Sequence, residues 1–208
     1  MTLAAADAQA FERCIAGGGV ALFGADTVYG LACDPQSAAA VARLYELKGR
    51  APDKPAAVMF FALEAALAAL PELGPRTLGA LRELLPGAVT LLVPNPRRRF
   101  ALACGPDPQT LGLRVPALAP PVAALGAVSA GVLQSSANPA GAPEARTLSA
   151  VTAPIRDGAG LVLDGGELAG VASTVVDLRD YEDAGRWSVL RAGAIGHDEL
   201  SRALAGGG

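Results

Sequence analysis

The stretch V-A-L-F-G-A-D-T-V-Y-G-L, Val20 to Leu31, opens with four apolar residues and then breaks into Gly24, Asp26 and Thr27. A short apolar run that ends in glycine and polar residues reads as a buried strand, Val20 to Phe23. Its far end delivers side chains to a sheet edge, where α/β proteins place their ligand sites. Asp26 suits a ligand amine and Thr27 a single hydrogen bond; a plain turn also accounts for Asp and Gly there.

The pattern extends in both directions from this strand. Ala4 to Ala16 carries apolar residues at helical spacing and stops at Gly17-Gly18-Gly19. Ser37 is an N-cap for a helix through Leu47, which Gly49 ends and Pro52 prevents from continuing. Further strands are read at Ala56 to Phe61, Val89 to Val93, Thr110 to Val115, Val132 to Ser135, Leu161 to Leu163, Ser173 to Leu178 and Ser188 to Arg191. Helices are read at Leu63 to Leu70, Arg76 to Leu85 and around Val122 to Val128, with a surface turn at Pro94 to Arg99. Strands and helices alternate irregularly, which favours a mixed α/β (α+β) layer over a strict βαβ repeat, with parallel pairs where a helix intervenes. No repeat and no long linker is visible. We therefore expect one domain over residues 1–208, with a flexible tail at 205–208.

The 208 residues are 51% hydrophobic, enough for a full core and too many for a disordered chain. Seventeen cations against 20 acids give a net charge of -3, which argues against whole-surface nucleic-acid binding but not against a local basic cleft. The one histidine, His197, falls in a terminal helix, a poor place for the base of a Ser-His-Asp unit. Cys14, Cys33 and Cys104 are scattered, so no zinc site is expected; they read as core hydrophobes of a reducing, cytoplasmic compartment. No signal peptide opens the chain. The longest uncharged stretch, Val115 to Pro143, is broken by Pro116, Pro120 and Pro121, so no membrane span is expected.

All but two of the 17 cations are arginine, and the exceptions, Lys48 and Lys54, share one segment: K-G-R-A-P-D-K-P, Lys48 to Pro55. Three cations in seven residues, shaped by glycine and proline, suit a polyphosphate; a solvated loop and a complement to the preceding helix end are the plainer readings. Neither G-x-x-x-x-G-K-[ST] nor G-x-G-x-x-G occurs, so a P-loop or Rossmann site is not supported. A third polar cluster, Gln134 to Gly141, follows the strand Val132-Leu133. Arg114 and Arg191 each stand inside an otherwise apolar strand and need a partner, either a structural carboxylate or an anionic ligand.

Taken in order, these segments resemble the YrdC-like family, the L-threonylcarbamoyladenylate synthases. The motifs are G-A-D-T-V-Y-G-L (Gly24 to Leu31), K-G-R-A-P-D-K-P, P-G-A-V-T (Pro86 to Thr90), R-V-P (Arg114 to Pro116), S-A-N-P-A-G (Ser136 to Gly141), S-T-V-V-D (Ser173 to Asp177) and L-R-A-G (Leu190 to Gly193). They span about residues 10–196 in the family's order. The resemblance implies a short, single-domain member with a twisted mixed sheet, flanking helices and an open, positively lined cavity. It implies a nucleotidyl transfer: L-threonine, bicarbonate and ATP, with Mg2+, give threonylcarbamoyl-AMP and pyrophosphate for a separate tRNA-modifying complex. By the same resemblance Lys48 and Arg50 carry the catalysis. Lys48, Arg50, Lys54, Thr110, Asn138, Arg146 and Arg191 hold ATP, and Thr27, Arg114, Ser136 and Ser173 hold threonine.

The sequence also departs from the family pattern. Gly24-Ala25 replaces Pro-Thr, Ala88 a proline, Met59 a histidine and Ala140 a serine, so contacts to threonine are expected to be lost at Ala25 and Met59. These departures keep two other readings open: a non-catalytic RNA-binding relative, for which nine aromatic residues are few, and a carbamoyl-adenylate-forming enzyme.

Overall fold

The computed structural model describes residues 2–205; most of the expected flexible tail lies outside them. Nine strands form one sheet. They are β1 (Ala21–Gly24), β2 (Tyr29–Cys33), β3 (Ala57–Met59), β4 (Val89–Pro94), β5 (Thr110–Arg114), β6 (Val132–Ser136), β7 (Leu161–Leu163), β8 (Thr174–Asp177) and β9 (Ser188–Arg191), in the order β7-β1-β2-β6-β3-β5-β4-β8-β9. Eight α-helices accompany them: α1 (Ala5–Ala16), α2 (Ala38–Lys48), α3 (Leu63–Ala69), α4 (Pro75–Leu84), α5 (Ala101–Cys104), α6 (Ala153–Gly158), α7 (Tyr181–Ala184) and α8 (His197–Ala205). The helix expected near Val122 is a 3-10 helix, Pro120–Ala127.

The caps of α2 follow from its ends. Ser37 Oγ accepts the Ala40 N–H at 3.3 Å, and Gly49 turns into the left-handed region at φ 59°. Two features of the sheet differ from expectation. β2 is not among the strands expected from the sequence, yet it pairs antiparallel with β1 and β6. Three pairings are parallel, β1 with β7, β3 with β5 and β4 with β8, but none joins strands consecutive in the chain. Each returning segment skips a neighbour, so the chain builds a mixed sheet rather than βαβ units.

Alternation along the strands sorts side chains onto two faces. Leu22, Leu31, Val58, Leu91, Leu113, Leu133 and Val176 point to one face, which α2, α3, α4 and α8 cover through Leu44, Ala66, Leu81 and Leu200. Phe23, Ala32, Met59, Val132 and Leu163 point to the other, where α1 and the 3-10 helix bring Phe11, Ile15, Val122 and Leu125 to a cluster that covers the β7-β1-β2 end and reaches Val132 of β6 and Met59 of β3. Phe11 meets Phe23 and Phe61 edge-on at 5.2 and 5.4 Å, and each such pair contributes about 0.5–1.5 kcal/mol beyond burial. Among the described residues this cluster does not extend over β5, β4 and β8, and that area is the floor of the site, with α5 at its edge through Cys104.

Candidate active site

A cleft of about 470 Å3 opens on the uncovered face. Registered strands supply its floor: Ala57 lies beside Gly112 and Gln134, Leu92 beside Gly112, and Thr90 beside Val175. The floor is small and apolar, and the rim is charged. Arg50, Arg114, Arg179 and Arg191 line the cleft against two carboxylates, Asp107 and Glu144. A chain with net charge -3 therefore presents a locally cationic cavity, which favours an anionic ligand.

Arg114 marks the border between cleft and apolar cluster, because it shares register with Met59. It is 5% exposed, so its charge must be met inside the protein. Its Nη2 donates to Asp26 Oδ1 in a buried ion pair and to Thr27 Oγ1 at 2.8 Å, while Asp26 Oδ2 accepts the Ala117 N–H at 3.3 Å. Asp26 is therefore engaged by the protein, which corrects its reading as a partner for a ligand amine. Arg114 Nε is buried and donates to nothing.

At the Lys48–Arg50 segment, the left-handed Gly49 sends the two cations different ways. Lys48 is 3% exposed, so the reading of this whole loop as solvent-facing is wrong for its first residue. Its Nζ donates to the carbonyl of Ser136, to the carbonyl of Asn138 at 2.7 Å and to Asn138 Oδ1 at 3.3 Å. The Ala140 N–H returns a bond to the Lys48 carbonyl at 2.8 Å. Lys48 thus pins the S-A-N-P-A-G turn from beneath. Burial, and secondarily the Arg50 charge, lower its pKa to about 8. Arg50 faces the cleft. It donates to the Pro55 carbonyl and lies 5.7 Å from the centre of the Tyr45 ring, whose hydroxyl donates to the Lys54 carbonyl at 2.8 Å. Its Nε, like that of Arg114, is buried without a partner.

The opposite wall comes from β8 and β9. A bulge at Leu190 leaves Val175 facing Arg191 and so turns Arg191 toward the cleft side. Arg191 Nη2 donates to the Ser173 carbonyl at 2.8 Å, and Ser173 Oγ lies 2.9 Å from Thr90 Oγ1.

The structure therefore brings Arg50, Thr110, Arg114, Ser136, Ser173 and Arg191 to one cleft. Thr27 stands behind Arg114, and Asn138 beside Lys48. Lys54 is exposed on the loop next to the lining residue Pro55. Arg146 is outside, its guanidinium 2.7 Å from Glu167 at the surface. Sequence reasoning missed Arg179, which lines the cleft while Asp177 holds it at 2.6 Å. The motif S-T-V-V-D ends two residues short of it, and no periodicity marks it.

The departures at Ala25 and Met59 join one apolar cluster, 1% and 0% exposed, so both positions are dry core rather than depleted cleft wall. Gly24 has its own reason. A Cβ there would stand 3.3 Å from the Gly165 Cα, so the two glycines allow two chains to pass closely. His197 packs against Trp187 on α8 and is not part of the lining.

The family model Sua5/YciO/YrdC, described as "Telomere recombination", matches residues 13–193. A threonylcarbamoyl-AMP synthase of Xanthomonas campestris is 36% identical over 172 residues, covering 80% of this chain and 89% of that protein. The crystal structure of Pyrococcus abyssi Sua5 complexed with L-threonine superposes with a TM-score of 0.83 at 25% identity, over 98% of this chain and 58% of that one. Escherichia coli YciO shares the fold, with a TM-score of 0.77 at 20% identity over 95% of this chain and 94% of that one. With the family model spanning all nine described strands, and relatives matched both by sequence and by the same sheet, the chain belongs to the Sua5/YciO/YrdC family.

Proposed function

We propose that this protein is a threonylcarbamoyl-AMP synthase, forming threonylcarbamoyl-AMP and pyrophosphate from L-threonine, bicarbonate and ATP. The observation that carries the reading is the convergence of Arg50, Arg114, Arg179 and Arg191 on one cleft in a member of this family. Guanidinium groups gathered on one cleft suit the carboxylate and phosphate oxygens of the two substrates.

Arg114, with Thr27 behind it and the Ser136 and Ser173 hydroxyls nearby in the lining, is assigned the threonine carboxylate. Arg50, Arg191 and Thr110 are assigned to ATP, with Lys54 joining from its exposed loop. Lys48 and Asn138 act from beneath by holding the turn that presents Ser136. Arg146 is left out of the set. The threonine amine and bicarbonate condense to the N-carboxylate with loss of water; its carbamate oxygen then attacks the α-phosphorus, and the bond to the β-phosphate oxygen breaks to release pyrophosphate. Negative charge grows on the leaving group, and preorganised arginines stabilise it without a nucleophilic side chain or a histidine.

Mg2+ entering with the triphosphate would be held mainly by phosphate oxygens and water and would neutralise charge on the pyrophosphate. Asp107, oriented by the Gln109 N–H and the Thr110 hydroxyl, and Glu144 are the lining carboxylates that would meet the cation's water shell. The product is a mixed anhydride, fit to be consumed by acyl transfer to a tRNA adenine in a separate complex.

The test is pyrophosphate release by the purified protein, with threonylcarbamoyl-AMP identified by mass spectrometry. Product should require ATP, threonine and bicarbonate together. No product with all three present overturns the proposal.

A further inference from the structure

We infer that Asp26 is a positioning residue that sets the amino-acid affinity of the cleft by fixing the Arg114 guanidinium. The inference rests on the synthase reading above and deepens it.

Three observations carry it. First, the Asp26 and Arg114 side chains are each 6% exposed, so this is a buried pair whose geometry water does not loosen. Second, Asp26 is itself anchored: Oδ2 takes the Ala117 N–H at 3.3 Å, in the segment just after β5, so carboxylate and arginine are tied to the same strand end. Third, Asp26 and Thr27 both use Nη2, while Nη1 is not buried and has no protein acceptor, in a residue that lines the cleft. One nitrogen of the guanidinium is thus spent on holding the plane. Nη1 remains for a ligand.

The pair has zero net charge, so this end of the cleft attracts a carboxylate less by long-range charge than by direction. A fixed planar donor discriminates a planar acceptor, as bidentate arginine sites do. Asp26 therefore acts on threonine through Arg114, without contacting it.

The experiment is steady-state kinetics on Asp26→Asn, which is isosteric and keeps an oxygen toward Nη2. KM for threonine should rise about tenfold, the worth of one charge-assisted hydrogen bond, with kcat and KM for ATP little changed. Asp26→Glu should recover part of the loss.

Arg114→Lys supplies the second measurement. In an Arg114→Lys background, Asp26→Asn should have little further effect on KM for threonine, because the plane to be fixed is gone. Equal, additive effects in both backgrounds would overturn the inference. So would an Asp26→Asn enzyme that loses kcat in proportion to its folded fraction at unchanged KM, which is what a purely structural role produces. An inactive wild-type protein would instead remove the synthase reading. Wild-type turnover with an unmoved threonine KM in Asp26→Asn removes only this inference.

Discussion

Arg114 and Arg50 line one cleft and both keep a buried Nε free, yet the protein holds them by different means. Arg114 rises from the central strand β5 and leans on a buried carboxylate. Arg50 sits on the loop after α2 and leans on a main-chain carbonyl and the face of Tyr45. Removing Arg114 orphans Asp26 inside the protein. Removing Arg50 leaves behind only groups that can meet water or each other. Under the proposed assignment the first arginine serves fold and ligand together, and the second the ligand alone.

The sharpest way to break this comparison is to truncate both. Arg114→Ala should cost about 3–5 kcal/mol of stability, since it leaves an uncompensated buried charge. Arg50→Ala should change stability by less than about 1 kcal/mol, while KM for ATP rises about tenfold or more through loss of a charged contact. Denaturant midpoints and steady-state kinetics on the two variants decide the matter, and equal stability losses would erase the distinction.

Lys48 falls between the two. Lys48→Met should lose about 1.5–3 kcal/mol, because two carbonyls at the S-A-N turn lose a charged donor. It should also raise KM for ATP through the displaced turn, so stability and turnover fall together, unlike in Arg50→Ala. The pH dependence follows from the lysine's folded pKa of about 8, below its ordinary value of 10.5. The charged form carries a folded-state penalty that is full below pH 8 and is relieved between 8 and 10.5, where only the unfolded chain keeps the proton. Lys48 therefore adds stability as pH rises through that window. The gap between wild type and Lys48→Met should widen there in chemical-denaturation curves. Over the same range kcat/KM for ATP should fall in wild type, as the ammonium that ties the turn deprotonates.

The same contrast explains what could be read from the sequence. Local rules found what local chemistry decides: the Ser37 cap, the Gly49 stop and the convergence of Arg50, Arg114, Ser173 and Arg191 through ordered motifs. They failed where a distant neighbour decides. β2 gives no local strand signal after the polar segment that ends in Gly30, yet a Cβ at Gly30 would lie 2.6 Å from Gln134 Nε2 on the adjacent strand. The glycine marks close strand packing. Lys48 looked exposed because it ends a helix beside a polar loop. Its burial depends on a turn some 90 residues away in the chain, Ser136 to Asn138. Met59 looked like a lost ligand contact, but the core that claims it is assembled from α1, β1 and the 3-10 helix. By sequence Asp26 suits a ligand amine or a plain turn; in the sheet it is one half of a buried pair with Arg114.

Arg146 gives the smallest expected effect and tests how far the distinction between held and unheld arginines extends. Its bridge to Glu167 is 2.7 Å long, but the two side chains are 58% and 65% exposed, so water screens the pair. Such bridges contribute about 0–1 kcal/mol. The segment does not depend on the bridge, because the Leu168 N–H donates to the Arg146 carbonyl at 2.8 Å whatever the side chain. Arg146→Ala should therefore leave stability within about 1 kcal/mol and KM for ATP within about twofold. A tenfold rise in that KM at unchanged stability would mean that the Arg146 loop moves over the cleft when nucleotide binds and exchanges Glu167 for phosphate. The proposed ATP end would then be completed by a side chain that the ligand recruits, in contrast to Arg114, which Asp26 already holds.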